Sequence, residues 1–189
     1  MKNLNKYYAI NKPFGVLSQF TDAEGRKTLA DLFSFPHDVY PVGRLDYDSE
    51  GLLLLTNDKT LTEKLLHPKQ KLEKEYFVQV EGVPTKEALL QLCAGVVIEN
   101  KITLPAKVKV LRTPPSIGER VPPIRFRKTI PTTWLTITII EGRNRQVRKM
   151  TAKVGYPTLR LIRMRIGKIH LENLKPGEVK EINFSEITL

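Results

Sequence analysis

The run Gly51-Leu52-Leu53-Leu54-Leu55-Thr56 constrains this chain more than any other feature. Four consecutive leucines describe a short strand covered on both faces, because a half-buried strand would alternate apolar and polar positions. The residues that lead into it, Tyr40-Pro41-Val42-Gly43-Arg44-Leu45-Asp46-Tyr47-Asp48-Ser49-Glu50, read as a tight glycine turn, one arginine, one carboxylate and a polar loop. A carboxylate on a loop fixed by a core strand is positioned for chemistry. An isolated Asp in a loop more often only caps a turn, so the rest of the chain decides between the two.

A length of 189 residues suggests one domain or two small lobes, enough for a sizeable core without staples. No segment approaches 18 consecutive apolar residues, so no transmembrane helix is expected. Met1-Lys2-Asn3-Leu4-Asn5-Lys6 lacks an apolar signal region, which leads to the expectation of a cytoplasmic protein. The single cysteine, Cys93, excludes an intramolecular disulfide and falls in an apolar helical run, as a buried inert thiol would. The net charge is +11 and unevenly spread: residues 101–170 hold 17 Lys and Arg against two acids, Glu119 and Glu141. The remaining 119 residues hold 14 bases and 18 acids. Such segregation is an electrostatic footprint for a polyanion. No long basic amphipathic helix is visible, which favours nucleic acid over a membrane surface.

Along the chain, 7–10 reads as a strand and 28–33 as a short helix. Asn57 or Asp58 caps a helix with Leu61, Leu65 and Leu66 inward and Pro68 as its stop. Residues 74–80 alternate as a strand, 85–93 form a helix with Gly95 after it, and 103–111 form another strand. The stretch 112–131 carries five prolines together with Arg120, Arg125, Arg127 and Lys128, and reads as a long loop, usually functional or mobile. A strand at 134–140 precedes a helix at 144–154 with Val147, Met150 and Val154 inward. Ile162, Met164 and Ile166 alternate with Arg163 and Arg165, giving a strand with a basic edge. Strands with interspersed helices but no regular βαβ alternation indicate an α+β fold.

Familiar cofactor patterns fail. Asp46-Tyr47-Asp48-Ser49-Glu50-Gly51 imitates the start of a calcium loop, but its twelfth position is Asn57 rather than a bidentate Glu. His37, His67 and His170 have no second ligand at metal spacing, and no glycine-rich phosphate loop or Ser/His/Asp arrangement is apparent. Carboxylate chemistry remains. A second unusual cluster, Glu141-Gly142-Arg143-Asn144-Arg145-Gln146-Val147-Arg148-Lys149-Met150, puts arginines at an expected helix start, where they oppose the macrodipole unless an anion arrives.

These segments resemble the RsuA family of pseudouridine synthases. Gly43-Arg44-Leu45-Asp46 with Ser49-Glu50-Gly51-Leu52-Leu53-Leu54-Leu55-Thr56-Asn57-Asp58 is similar to the family's catalytic motif, Lys74-Glu75-Tyr76 to its Lys-x-Tyr motif, and 141–150 to its third motif. Leu159-Arg160-Leu161-Ile162-Arg163 matches the segment that follows. The motifs occur in the family's order and span most of the chain. Gln19-Phe20-Thr21-Asp22-Ala23-Glu24-Gly25-Arg26-Lys27-Thr28-Leu29 and Pro122-Pro123-Ile124-Arg125-Phe126-Arg127-Lys128-Thr129-Ile130-Pro131-Thr132 look like a branch that modifies large-subunit ribosomal RNA and lacks the S4 RNA-binding module of most members.

The resemblance implies one catalytic domain over 1–189 without an N-terminal S4 module, built on a mixed, largely antiparallel sheet with flanking helices and a cleft between two lobes. It implies action on one uridine of 23S ribosomal RNA, free or partly assembled; a monomer is the default expectation for a soluble RNA-modifying domain. The reaction breaks the uracil N1–C1′ bond, turns the base and joins C5 to C1′; as an isomerisation it needs no cofactor or metal. By the same resemblance Asp46 is the nucleophile, Arg148 pairs with and aims its carboxylate, and Tyr76 contacts the base. Arg44 fills the space of the flipped-out nucleotide, and Leu161 and Ile162 form an apolar wall. RNA contacts are expected from Arg44, Arg143, Arg145, Arg125, Arg127, Lys128, Arg163 and Arg165. Two other readings stand beside this one: a sister synthase acting on another rRNA site or on tRNA, and a catalytically silent RNA-binding protein on the same scaffold.

Overall fold

The computed structural model describes residues 5–124, 127 and 129–187. In chain order the elements are β1 (Tyr7–Lys12), β2 (Tyr40–Pro41), β3 (Glu50–Thr56), α1 (Lys59–Leu66), β4 (Lys74–Glu81), α2 (Lys86–Ala94), β5 (Val97–Ile98), β6 (Lys101–Ile102) and β7 (Lys107–Val110). They continue with β8 (Thr132–Ile139), α3 (Gln146–Lys153), β9 (Thr158–Ile166), β10 (Ile169–His170) and β11 (Val179–Glu181). The fold is α+β, and two units are distinguishable: Met1–Leu72 with Arg163–Leu189, and Glu73–Ile162. The chain passes from the second to the first within β9. No described helix is long and apolar enough to cross a membrane.

In the first unit, β1 runs antiparallel between β3 and β11, with Ile10 opposite Leu53 on one side and Val179 on the other. All seven residues of β3 are buried, as the leucine run requires. Leu53 and Leu55 join Tyr8, Ile10, Val16, Leu29, Val39 and Leu45 in this unit's core. The Asp58 carboxylate caps α1, accepting from Leu61 N at 2.9 Å. Leu61 and Leu65 turn inward, but Leu66, expected with them, is exposed. The helix stops there because His67 is extended ahead of Pro68, and Leu66 comes to lie over Gly43 instead. The helix expected at 28–33 contracts to a 3-10 turn, Leu29–Asp31, closed by the Asp31 carboxylate on Thr28 N at 2.7 Å.

In the second unit, β8 lies antiparallel between β4 and β7. Tyr76, Val78 and Val80 alternate inward along β4 and pack with Leu92, Leu135, Ile137, Val147, Met150 and Leu161. Thr85 caps α2 through Ala88 N at 3.2 Å, and Gly95 ends it at φ +101°. The strand expected at 103–111 is only Lys107–Val110. Its first residues are diverted: Thr103 N bonds Val96 O at 2.9 Å, and Ala106 N bonds Cys93 O at 3.1 Å.

The helix expected at 144–154 begins at Gln146. The Gln146 side chain accepts from Arg143 N at 3.0 Å, and Arg145 is left-handed at φ +50°, so neither preceding residue is helical. Among the described residues, 112–131 forms no helix or strand. It is tethered by Gly82 N to Pro131 O at 2.7 Å and by Arg160 Nη1 to Gly118 O at 2.9 Å. Arg125 and Lys128 lie outside the described residues.

Candidate active site

The Asp46 loop is held by its main chain. Val42 N donates to Leu54 O at 2.7 Å, Gly15 N to Tyr47 O at 2.8 Å, and Ser49 N to Asp46 O at 3.0 Å. The Ser18 hydroxyl clamps the residue before the carboxylate, donating to Leu45 O at 2.8 Å and accepting from Leu45 N at 3.1 Å. Gly43 enters the loop at φ +71°, a conformation that favours glycine. Leu45 anchors the loop in the core, Asp46 is half-buried, and Arg44 is exposed.

Beneath this loop lies a lysine that periodicity does not single out. Lys12 is completely buried, with Nζ donating to Val16 O at 2.7 Å and Pro13 O at 2.9 Å. Burial pushes its pKa down from 10.5 to about 8; the carboxylates of Glu50, Asp48 and Asp46 pull it back up and Arg163 pushes it down. Lys12 therefore sits in the field of three carboxylates of the Asp46 loop and one arginine of β9. Among the described residues, Ser49 Oγ and Arg163 Nη2 are buried without a hydrogen-bond partner, a costly state that native folds keep rare.

The sign of the Lys12 shift gives a test. Its folded pKa lies below the unfolded one, so between pH 8 and 10.5 the unfolded chain binds more protons and stability rises with pH. In Lys12→Met this contribution disappears. The stability of wild type relative to the variant should increase between pH 7.5 and pH 10, read from denaturant midpoints. A difference independent of pH would mean that Lys12 does not titrate there.

Several arginines expected on an RNA-facing surface are engaged with backbone carbonyls. Arg163 is buried and donates Nε to Leu52 O at 2.8 Å, so it does not form a basic strand edge. Arg165 is half-buried and donates to Gly167 O at 2.6 Å. Arg143 binds Ile98 O at 2.6 Å and Lys101 O at 3.1 Å, holding the β5–β6 hairpin. It stands before α3 rather than in its first turn, whereas Arg145 is the N-cap and Arg148 remains in the first turn. Arg145 is exposed ahead of α3. Arg127 pairs with Glu81 at 3.3 Å on the surface. Carbonyls do not neutralise a guanidinium, so the positive potential remains while these side chains are held in place. Arg148 donates Nη1 to Thr158 O at 3.3 Å, and Tyr76 is buried in the second unit's core.

Residues 6–153 match the family model for RNA pseudouridylate synthase. The chain belongs to the RNA pseudouridylate synthase family. It is an RNA-modifying isomerase. It is 57% identical over 178 residues to the ribosomal large subunit pseudouridine synthase E of Vibrio vulnificus, covering 94% of this chain and 75% of that one. It is 53% identical over 171 residues to the protein of the same name from Xanthomonas campestris, covering 89% and 91%. A solved pseudouridylate synthase superposes with a TM-score of 0.80 at 29% identity, covering 97% of this chain and 72% of that one. The family resemblance and the largely antiparallel α+β fold expected from it are thus borne out. The synthase's motif residues were legible in the sequence; the supports Lys12 and Ser18 were not, although the Lys12-Pro13 step after an apolar strand was a local signal for Lys12.

Proposed function

We propose that this synthase converts one uridine of the large-subunit ribosomal RNA to pseudouridine, with Asp46 as nucleophile. The observation that carries the reading is a motif carboxylate on a loop pinned at Gly15, Ser18 and Leu54, with a buried cation beneath it. A carboxylate attacks an electrophilic carbon and later leaves. The N1–C1′ bond breaks, the detached uracil turns, C5 bonds to C1′, the C5 proton departs and N1 gains one, so composition is unchanged. Tyr76 contacts the base, Arg148 pairs with Asp46, and Arg44 takes the place of the flipped nucleotide. Similarity to large-subunit enzymes over most of both chains supports the substrate. A monomer in the cytoplasm, working on free or partly assembled 23S RNA through one catalytic domain, completes the proposal.

Mapping pseudouridines in RNA from a strain lacking the gene tests it. One 23S site should lose its modification and regain it on complementation. A site lost from tRNA alone would overturn the substrate while leaving the chemistry.

The basic segment yields a further expectation. Replacing Arg125, Arg127 and Lys128 together with Gln should lower the log–log salt slope of RNA binding by roughly 0.7–0.9 for each phosphate contact removed. Binding to all RNAs should weaken, because phosphate contacts set affinity and register rather than sequence. An unchanged slope across a salt series would take this loop off the RNA-binding surface.

A further inference from the structure

The segment 19–29 performs none of the roles assigned above. In the first unit it supplies part of the wall of a cavity of about 630 Å³. Gln19, Phe20, Phe33, Phe35, His37 and Tyr40 are among the lining residues, and the lining contains no Lys, Arg, Asp or Glu. Two rings are open to solvent, Tyr40 at 62% and Phe33 at 41% exposure. They are braced rather than loose. Phe33 meets Phe35 edge-on at 4.9 Å, Phe20 meets Tyr40 edge-on at 6.3 Å, and Phe35 rests edge-on against the core ring of Tyr8 at 5.5 Å.

Exposed, pre-positioned aromatic rings around a cavity without Lys, Arg, Asp or Glu suit a flat ligand with polar edges. They do not suit a phosphate, which calls for cations, or a charged peptide. The Gln19 amide, the Thr21 and Ser34 hydroxyls and the His37 imidazole offer donors and acceptors to such an edge. The cavity is also continuous with the catalytic loop. Ser18 lines it and clamps Leu45, and Pro41 lines it five residues before Asp46, at most about 18 Å along extended chain. An RNA whose target base is extruded presents unpaired neighbours, and proteins read those by stacking on aromatic side chains.

We propose that this aromatic cavity binds an unpaired nucleobase of the RNA substrate, a few nucleotides from the target uridine. The proposal rests on the reading that the target uridine is held at Asp46.

Two measurements test it. In the first, isotope-labelled protein is titrated with hexauridylate and with a mixed-sequence ribohexamer. Resonances of Phe33, Ser34, His37 and Tyr40 should shift. Absence of shifts there, or shifts with a proline-rich peptide but with neither RNA, overturns the proposal. In the second, wild type, Tyr40→Ala and Tyr40→Trp are compared on transcribed 23S RNA. Tyr40→Ala should raise KM roughly 5- to 150-fold, the range of one base–aromatic stack. The effect should fall in KM rather than kcat, and Tyr40→Trp should restore it. Equal KM values for wild type and Tyr40→Ala on the transcribed 23S RNA overturn the cavity's role. Hexamer-induced shifts in a protein inactive on 23S RNA would support the cavity and instead overturn the substrate reading.

Discussion

Asp46→Asn is expected to abolish pseudouridine formation while leaving RNA affinity within a few-fold of wild type. Asn matches Asp in shape but supplies no anionic oxygen. The loop keeps restraints that Asn leaves in place: Ser49 N bonds the Asp46 carbonyl, Gly15 N bonds Tyr47 O, and Ser18 clamps the Leu45 peptide. The loss is therefore chemical, and removal of a nucleophile costs on the order of 10⁴-fold or more in kcat. Release of tritium from RNA labelled at uracil C5, followed in single-turnover reactions, gives the rate, thermal denaturation checks the fold, and a binding isotherm checks affinity. Turnover near the wild-type rate would remove Asp46 from the nucleophile's role. A large loss of binding would instead assign the carboxylate to holding RNA.

What the sequence disclosed divides by range. β3 is visible because four leucines in a row leave no polar face, and the caps at Asp58, Thr85 and Gly95 because capping chemistry is local. The start of α3 is not legible because Gln146 and the left-handed Arg145 override a helical pattern with two specific local conformations. The arginines show a different limit. Counting 17 bases against two acids in 101–170 gives the sign of the potential. It cannot tell that Arg143, Arg160 and Arg163 direct donors at carbonyls 41 or more residues away. Lys12 was missed for the same reason: its significance comes from carboxylates at 46, 48 and 50, brought to it by the pairing of β1 with β3.

Gly51 opens the leucine run, and Gly51→Ala should be among the most destabilising single changes in the chain. Its φ is +103°, and a Cβ there would lie 2.3 Å from Arg163 O and 2.6 Å from Arg163 N. Both are main-chain atoms of β9, which cannot swing aside as a side-chain tip can. Backbone strain of about 1–3 kcal/mol adds to overpacking of about 1–3 kcal/mol. For a chain of this size the sum corresponds to a Tm lower by roughly 5–20 °C. The damage should reach the site. Parting Gly51 from Arg163 strains the Arg163 Nε bond to Leu52 O, and Lys12 sits opposite Gly51 in the β1–β3 ladder. Gly25→Ala is the matched control, with φ +72° but nothing within 4 Å of the added methyl, so it carries the conformational strain without the collision. Denaturant titration of the two variants separates the terms. Equal, small losses would mean that β9 yields easily at Arg163; a loss at Gly51 several-fold greater, with activity falling alongside, would make this close approach of two strands the foundation on which the Asp46 loop is held.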